Sequence, residues 1–220
     1  MAQATLSISS KNYSSWSLRG WLLARFSGLD FREITVSPDD VSAKRELLLL
    51  APSILVPCLR HDGIKVWDTL AIAEYLHEIK PKSGLLPSTR SARAHCRAVC
   101  GEMHSGFSSL RSALPMNLKG DFPGYKVWAK AVDDIERITT IWRECLDEYG
   151  SPWLFGKKRC MADAMYAPVV TRFITWQPEL SATTQRYMAA MRAHPLVARW
   201  YDEAAAEPTE WLLERYENPA

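Results

Sequence analysis

The chain lacks the patterns that mark secreted, membrane-spanning and nucleic-acid-binding proteins. Its five cysteines are odd in number and include no Cys-x-x-Cys pair, so we expect free thiols in a reducing compartment. No stretch approaches the roughly 18 apolar residues of a membrane span, and residues 1–5 do not resemble a signal peptide. Lys plus Arg number 27 and Asp plus Glu 25, a balance that argues against a nucleic-acid partner. We therefore expect a cytoplasmic protein with no membrane or nucleic-acid partner.

The composition is that of an ordinary globular protein. The 220 residues are 47% hydrophobic and 24% charged, close to the usual averages. This length suits one large domain or two small ones. The nine tryptophans are large apolar groups that fill a core, and they also suit a cleft that binds aromatic molecules.

The first 36 residues predict two strands joined by a helix. Residues 5–9 and 31–36 alternate between apolar and polar side chains, as strands do. Between them, apolar side chains recur at helical spacing up to Gly28, whose type favours the left-handed residue after a helix end. Two strands connected in this way are normally parallel.

The next segment predicts a hairpin followed by a helix. Residues 39–50 suit a helix or a helical crossover, and the apolar runs after them flank Asp62-Gly63, a strong hairpin signal. Pro57 cannot donate to a strand ladder, so we place it at the start of the first strand, where a cis peptide suits a tight turn. Asp68-Thr69 precedes helical spacing that continues to residue 79, and this pair is a good N-terminal cap.

The composition changes after residue 80. Proline, glycine and serine mark a linker, and beyond it the spacing predicts only helices, over residues 92–114, 125–149, 163–175, 180–193 and 196–206. We therefore predict an α/β domain at residues 1–82, a linker at 83–90 and an all-α domain at 91–220.

Four short motifs follow one another in an order that one family shares. They are Asn12-Tyr13-Ser14-Ser15-Trp16-Ser17-Leu18-Arg19, Val56-Pro57-Cys58-Leu59, Asp68-Thr69-Leu70-Ala71-Ile72-Ala73-Glu74-Tyr75-Leu76 and Cys160-Met161-Ala162-Asp163. With the predicted elements, they resemble the cytosolic glutathione S-transferases over nearly the whole chain, and the first motif is similar to that of the zeta-like members. The resemblance implies a thioredoxin-like N-terminal domain followed by an all-α helical bundle.

Two positions depart from the family pattern. Ser17 stands where the zeta-like members have the first arginine of Trp-Arg-x-Arg. Cys160 stands where the family usually has the Ser or Thr of a capping box, and because a thiol is a poor acceptor we expect a cap weaker by up to about 1 kcal/mol.

The resemblance implies that glutathione binds to the N-terminal domain. The backbone of Val56, ahead of Pro57, would pair with the cysteinyl part as an added strand does. The helix start at Thr69 would hold the γ-glutamyl carboxylate, and Asp68 would meet the α-amino group. Lys44, beside Arg45, would meet the glycyl carboxylate. Each assignment has a structural alternative. Val56-Pro57 could form only a turn, Asp68-Thr69 could only cap the helix, and Lys44 and Arg45 could be a solvated pair of surface charges.

The resemblance implies that residues in the turn before the first helix activate the glutathione thiol. Its candidates are Ser14 first, then Tyr13 and Ser15, with Asn12 the least favoured, because a hydroxyl there can donate to sulfur and the helix dipole adds to the effect. These serines could also only cap the helix. The turn contains no cysteine, which disfavours a mixed disulfide and therefore a disulfide-reductase activity.

A second substrate would lie between the domains, against the first long helix of the C-terminal half. Met103, His104, Phe107 and Arg111 include one face of that helix, and apolar groups with one arginine suit an aromatic or carboxylate-bearing electrophile. Ordinary core or dimer contacts are the alternative reading of the same face.

The predicted function is that of a homodimeric glutathione transferase whose thiolate attacks a small electrophile, as in detoxification. A glutathione-dependent isomerase of a maleyl-type diacid is an alternative, and a non-catalytic binding protein of the same fold, as among stress-associated relatives, is another. Cys96, Cys100 and His104 repeat every four residues, but a zinc site needs about four ligands, so we expect no metal.

Overall fold

A computed structural model describes residues 4–36 and 56–217, without the side chain of Arg215. The helix predicted over residues 39–50 and the two basic residues Lys44 and Arg45 lie outside the described residues.

The N-terminal half contains a four-stranded mixed sheet. Its strands are β1 (Ala4–Ile8), β2 (Phe31–Thr35), β3 (Cys58–His61) and β4 (Ile64–Trp67), in the order β2-β1-β3-β4. β1 and β2 are parallel, whereas β3 is antiparallel to both of its neighbours. The predicted strand-helix-strand unit and hairpin are both confirmed, and the Val56–Pro57 peptide is cis and precedes β3, as predicted.

Two helices pack against each other in this half. α1 (Ser15–Ser27) ends at Gly28, whose φ of +73° is the left-handed conformation that glycine adopts most easily. α2 (Thr69–Ile79) begins after Asp68, whose side chain caps it. Leu18, Leu22, Ile72 and Leu76 are fully buried, so the apolar faces of both helices contribute to the core.

The rest of the described chain is helical. Residues 80–89 contain neither helix nor strand, and they lead into α3 (Arg90–Ser105), α4 (Ser108–Ala113), α5 (Ala129–Tyr149), α6 (Met161–Trp176), α7 (Ala182–Ala193), α8 (Pro195–Ala205), a 3₁₀ turn (Thr209–Trp211) and α9 (Glu214–Glu217). The predicted fold class, a mixed α/β half followed by an all-α half, is confirmed. The domain limits at residues 82 and 91 stay a prediction.

The single helix predicted over residues 92–114 is wrong. The chain breaks at Gly106 and Phe107, and Phe107 adopts a left-handed φ of 59°. The side chain of Phe107 is buried in the core at this corner, so tertiary packing overrides the helical periodicity. α5 also begins later than predicted, at Ala129, and Tyr125 instead packs its ring 4.6 Å from that of Trp176.

α6 is the central helix, with nearly every side chain buried. Asp163 in its first turn accepts hydrogen bonds from the N–H of Cys160 (2.8 Å), the N–H of Leu154 (3.1 Å) and the hydroxyl of Tyr187 (3.2 Å). Burial raises the pKa of the Asp163 carboxyl to about 6 despite these donors. The helix start predicted at Cys160 therefore holds together three separate segments of the C-terminal half.

Among the described helices, none is long and apolar enough to cross a membrane.

Pro57, in the loop before β3, approaches α1 closely at Gly20. A Cβ atom added at Gly20 would lie 2.4 Å from Cγ and 2.5 Å from Cβ of Pro57. Such distances lie well inside van der Waals contact, so only glycine fits at this point of α1.

We expect Gly20→Ala to lower the free energy of unfolding by about 1–3 kcal/mol, the usual cost of overpacking, although alanine is the better helix former. Gly101→Ala in α3 is the matched control, because its added Cβ meets nothing within 4 Å, and it should be stabilising by about 0.5–1 kcal/mol. Urea unfolding measures both changes. A Gly20→Ala protein as stable as the Gly101→Ala protein would contradict the close contact.

Candidate functional site

A cavity lies where the N-termini of α1 and α2 meet the cis-proline loop. Its volume is about 220 Å³, and it is lined by Trp16, Val56, Pro57, Asp68, Thr69 and His104. This is smaller than the roughly 300–1,000 Å³ of sites that enclose a drug-sized ligand, so it suits one part of a larger molecule. The cavity brings together four of the five residues predicted to bind glutathione, and the fifth, Lys44, is outside the described residues.

Asp68 is held firmly at the start of α2. Its Oδ1 accepts hydrogen bonds from the N–H of Leu70 (2.8 Å) and of Ala71 (3.2 Å). Its backbone φ of 74° is in the left-handed region, which costs free energy for a non-glycine residue and is common at ligand sites. The other carboxylate oxygen, Oδ2, lies 2.5 Å from Nε2 of His104 on α3, so this contact connects the two halves of the chain.

Thr69 supplies an unsatisfied donor at the same place. The residue is almost completely buried, and its Oγ1 has no hydrogen-bond partner among the described residues. A buried hydroxyl without a partner costs about 1–3 kcal/mol. Thr69 is also the first residue of α2, where the N–H groups have no partner within the helix and the dipole is positive. The arrangement favours an anionic group of a ligand.

The candidates for thiol activation lie in the turn before α1. The Ser14 Oγ caps the helix by accepting from the N–H of Ser17 (3.3 Å), and its hydroxyl donates to the Ser17 Oγ (2.8 Å). Ser15 is buried, and its Oγ accepts from Nη2 of Arg172 at 3.4 Å. Asn12 is buried and bonds to Asn117 through its Nδ2 (3.0 Å).

Tyr13 is engaged by the C-terminal segment. Its hydroxyl donates to the Glu217 carboxylate and accepts from the N–H of Leu213 (3.1 Å). Burial and the bond to Glu217 raise the pKa of Tyr13 to about 12. None of the four candidates lines the 220 Å³ cavity, although Ser15 directly precedes Trp16, which does. Among the described residues, the side-chain hydrogen bonds of Ser14 involve only Ser17.

Three arginines surround the rear of the site. The guanidinium of Arg19 lies 4.6 Å from the ring centroid of Trp16, and that of Arg111 lies 5.1 Å from it. Arg19 is fully buried and donates through Nε to the carbonyl of Met165 (2.7 Å), while Nη1 and Nη2 have no partner in the described part of the chain. Burial and the charges of Arg172 and Arg111 hold the pKa of Arg19 well below its ordinary value.

These guanidinium groups make the region behind Trp16 strongly positive. Arg172 is also buried, and burial with the charge of Arg111 lowers its pKa to about 10. None of the three forms an ion pair with a described carboxylate. Buried charge of one sign is costly unless it is compensated, so an anion beside Trp16 would be stabilised.

The four residues predicted for a second substrate have separate locations. His104 lies against Trp16, with ring centroids 5.3 Å apart, and Arg111 lies over the same indole. Met103 and Phe107 are instead buried in the hydrophobic core, and the break places Phe107 and Arg111 outside the helix that carries Met103 and His104.

Trp16 and Arg19 are site residues that the sequence interpretation did not single out. Their spacing of three residues places them side by side on one helix face, and this was the available signal. The five cysteines are all buried and unpaired. Among the described residues, no group of three or more His, Cys, Asp or Glu side chains is arranged to hold a metal ion.

Comparisons with known proteins agree on the class that this fold and site define. Residues 13–79 match the glutathione S-transferase N-terminal domain, and residues 97–203 match the glutathione S-transferase C-terminal domain. The chain belongs to the glutathione S-transferase family.

The chain is similar to several maleylacetoacetate isomerases. The chain is 33% identical over 160 residues to a probable maleylacetoacetate isomerase of Caenorhabditis elegans, covering 71% of this chain and 72% of the relative. It is 27% identical over 207 residues to the maleylacetoacetate isomerase of Pseudomonas aeruginosa, covering 89% of each. Among solved structures, a glutathione transferase homolog from Burkholderia with bound glutathione superposes with a TM-score of 0.70 at 25% identity, covering 94% of this chain and all of that one.

Proposed function

We propose that this protein is an enzyme that binds glutathione, with its γ-glutamyl end in the 220 Å³ cavity, and uses the glutathione thiolate to attack a small electrophile. The observation that carries the proposal is the buried, unpartnered Oγ1 of Thr69 at the start of α2, beside the cis Val56–Pro57 peptide. A hydroxyl donor, a positive helix end and the backbone edge at Val56 are together suited to a peptide with an anionic end.

Three of the cavity residues each contact one part of glutathione in this proposal. Thr69 donates to the γ-glutamyl carboxylate, and the carboxylate of Asp68 meets the α-amino group. The backbone of Val56 pairs with the cysteinyl residue, and Pro57 holds that backbone in place by packing on Gly20. Lys44 remains the proposed partner of the glycyl carboxylate on the basis of the family resemblance alone.

Removal of the Thr69 hydroxyl tests the binding site. We expect Thr69→Ala to weaken glutathione binding tenfold or more, because a hydrogen bond to a charged group contributes roughly 1.5–3 kcal/mol. Thr69→Ser keeps the hydroxyl and should retain most of the affinity. Isothermal titration calorimetry measures all three proteins, and an unchanged affinity in Thr69→Ala would remove Thr69 from the site.

Thiol activation is assigned to Ser14, with Tyr13 and Ser15 as its alternatives. The Ser14 hydroxyl, which now donates to Ser17, would turn to donate to the glutathione sulfur. The N-terminus of α1 and the arginines beside Trp16 also favour a negative sulfur. An ordinary thiol has a pKa near 8.5, and one bond of roughly 1.5–3 kcal/mol to the thiolate would lower it by about one to two units.

Ser14→Ala should therefore raise the pH at which bound glutathione ionises by about one to two units while leaving its affinity nearly unchanged. Ultraviolet thiolate absorbance of the complex against pH is the measurement, and turnover should fall in parallel. Ser181→Ala is the matched control, because Ser181 caps α7 through the N–H of Thr184 as Ser14 caps α1, far along the chain from the site.

Two further variants separate the alternatives. If Ser14→Ala titrates as wild type while Tyr13→Phe or Ser15→Ala shifts the curve, the role belongs to that neighbour. If none shifts it, the helix dipole and the arginines activate the thiol without a hydroxyl. Glutathione binding without turnover against any electrophile would instead support a non-catalytic member of the family.

A second candidate activity is the cis–trans isomerisation of a maleyl-type diacid. The arginine cluster behind Trp16 supports it, because a diacid brings carboxylates to a region where guanidinium groups have no acidic partner. The names of the relatives are consistent with it. In this reaction the thiolate adds to the double bond, the resulting single bond rotates and the thiolate leaves again, so glutathione is not consumed.

Arg111→Gln distinguishes the two candidates. For an isomerase of a diacid, the variant should raise the KM for the diacid about tenfold or more and leave an uncharged electrophile nearly unaffected. Arg137→Gln is the matched control, since Arg137 is an exposed arginine paired with Glu102. Failure of the wild-type protein to isomerise any cis diacid in the presence of glutathione would leave the transferase as the proposed activity.

The family resemblance also supports a cytoplasmic homodimer. A sedimentation mass equal to the 25.0 kDa of one chain at micromolar concentration would contradict the dimer.

A further inference from the structure

A second and larger cavity lies along the segment that connects the two halves. Its volume is about 870 Å³, and its walls come from the end of α2, the connection at residues 81–89, the start of α3, the end of α5 and residues 155–160. It shares no lining residue with the candidate glutathione site. Asp68 and His77 mark the two cavities at opposite ends of α2, about 14 Å apart at 1.5 Å per residue.

The charged side chains that line this cavity are all basic. They are Lys82, Arg93, Lys157 and Lys158, joined by His77. A neighbouring cavity of about 330 Å³ shares Gly84 and Lys158 with it and adds Arg159 and His194. Neither lining contains an aspartate or glutamate among the described residues. The whole chain has a net charge of only +2, so positive charge is concentrated here while the remainder of the chain is net negative.

The four charged residues of the larger cavity form no ion pair with a carboxylate within the described ranges. Lys82, Lys157 and Lys158 form no hydrogen bond or ion pair there. Arg93 is held in position by backbone carbonyls alone, through Nη1 to the oxygens of Ser88 (2.6 Å) and Pro87 (3.4 Å). Its guanidinium is therefore oriented without being neutralised, which suits it to pair with an anion.

The polar groups between the charges are also suited to an anion. Ser88 and Thr89 line the cavity at the start of α3, a helix of 16 residues whose positive dipole end opens there. The Nδ1 atom of His77 is buried and lacks a hydrogen-bond partner in the described structure. A ligand oxygen or hydroxyl at this point would satisfy it.

One wall of the cavity is aromatic. Tyr149 and Phe155 stack with their ring centroids 4.7 Å apart and an angle of 27° between the rings, and both are half-buried. Leu86, Pro81 and Pro87 add apolar surface. A volume near 870 Å³ is large enough to enclose a drug-sized organic molecule, so the cavity combines an apolar wall with a cationic rim.

We propose that this cavity is a second binding site, separate from the glutathione site, for a small organic polyanion with a planar ring and at least two anionic groups. The ring packs beside Tyr149 and Phe155, and the anionic groups meet Arg93, Lys157 and Lys158. This proposal does not depend on the proposed enzymatic activity, because none of its residues takes part in that site.

Three probes test separately the need for a ring and the need for anionic groups. ATP has both, inorganic triphosphate has only the anionic groups, and adenosine has only the ring. Calorimetry on the full chain should show saturable ATP binding that weakens as salt is raised, weaker binding of triphosphate and no binding of adenosine. Saturating glutathione should leave the ATP affinity unchanged, since the two cavities are distinct. Displacement of ATP by glutathione, or the absence of saturable ATP binding at low salt, would overturn the proposal.

Charge reversal locates the site. The double variant Lys157→Glu/Lys158→Glu should lower the ATP affinity at least tenfold. The control Lys126→Glu/Lys130→Glu, at two exposed lysines that do not line this cavity, should leave it nearly unchanged. Both variants should keep the circular dichroism spectrum and the glutathione affinity of the wild type, which shows that they fold. Equal loss of ATP affinity in the two variants would mean a general charge effect and overturn the assignment to this cavity. Triphosphate binding as tightly as ATP would overturn the role of the aromatic wall.

Discussion

Pro57 packs so closely on Gly20 that a single methyl group on α1 would overlap the proline ring. This contact fixes the loop before β3 against the first helix, and the geometry of the site follows from it. Trp16 lies one turn before Gly20, and Asp68 and Thr69 follow the hairpin that β3 begins. The cavity lies between these residues, and its shape depends on how the loop before β3 is held against α1. A residue with a side chain at position 20 would displace the loop that offers its backbone edge at Val56.

The charges around the cavity determine which ligand groups it favours. The start of α2, the start of α1 and the guanidinium groups around Trp16 all present positive potential to the same cavity. Asp68 is the acidic residue in its lining, and it is bonded to the first turn of α2 and to His104. Such a site favours a ligand with several negative groups and one positive group, and glutathione as its thiolate, with two carboxylates, the thiolate and one ammonium group, has this composition.

The sequence predicted the parts of the site that depend on short-range patterns. Pro57 and Asp68-Thr69 could be located because a proline before a strand and a cap before a helix are local signals. Phe107 could not, since its left-handed conformation follows from burial of its ring among distant residues. The continuous helix predicted over residues 92–114 is wrong for the same reason. The basic cavity could not be predicted from the sequence either. Its side chains come from segments more than 60 residues apart, and each alone is an ordinary surface charge.

The central claim is that glutathione binds at the start of α2 beside the cis-proline loop, and a crystal structure of the protein soaked with glutathione tests it most directly. The account predicts the γ-glutamyl carboxylate on the N–H and Oγ1 of Thr69, the cysteinyl backbone paired with Val56, and the sulfur next to the Ser14 hydroxyl. Density for glutathione elsewhere, or in the cavity with its γ-glutamyl end pointing away from Thr69, would contradict it.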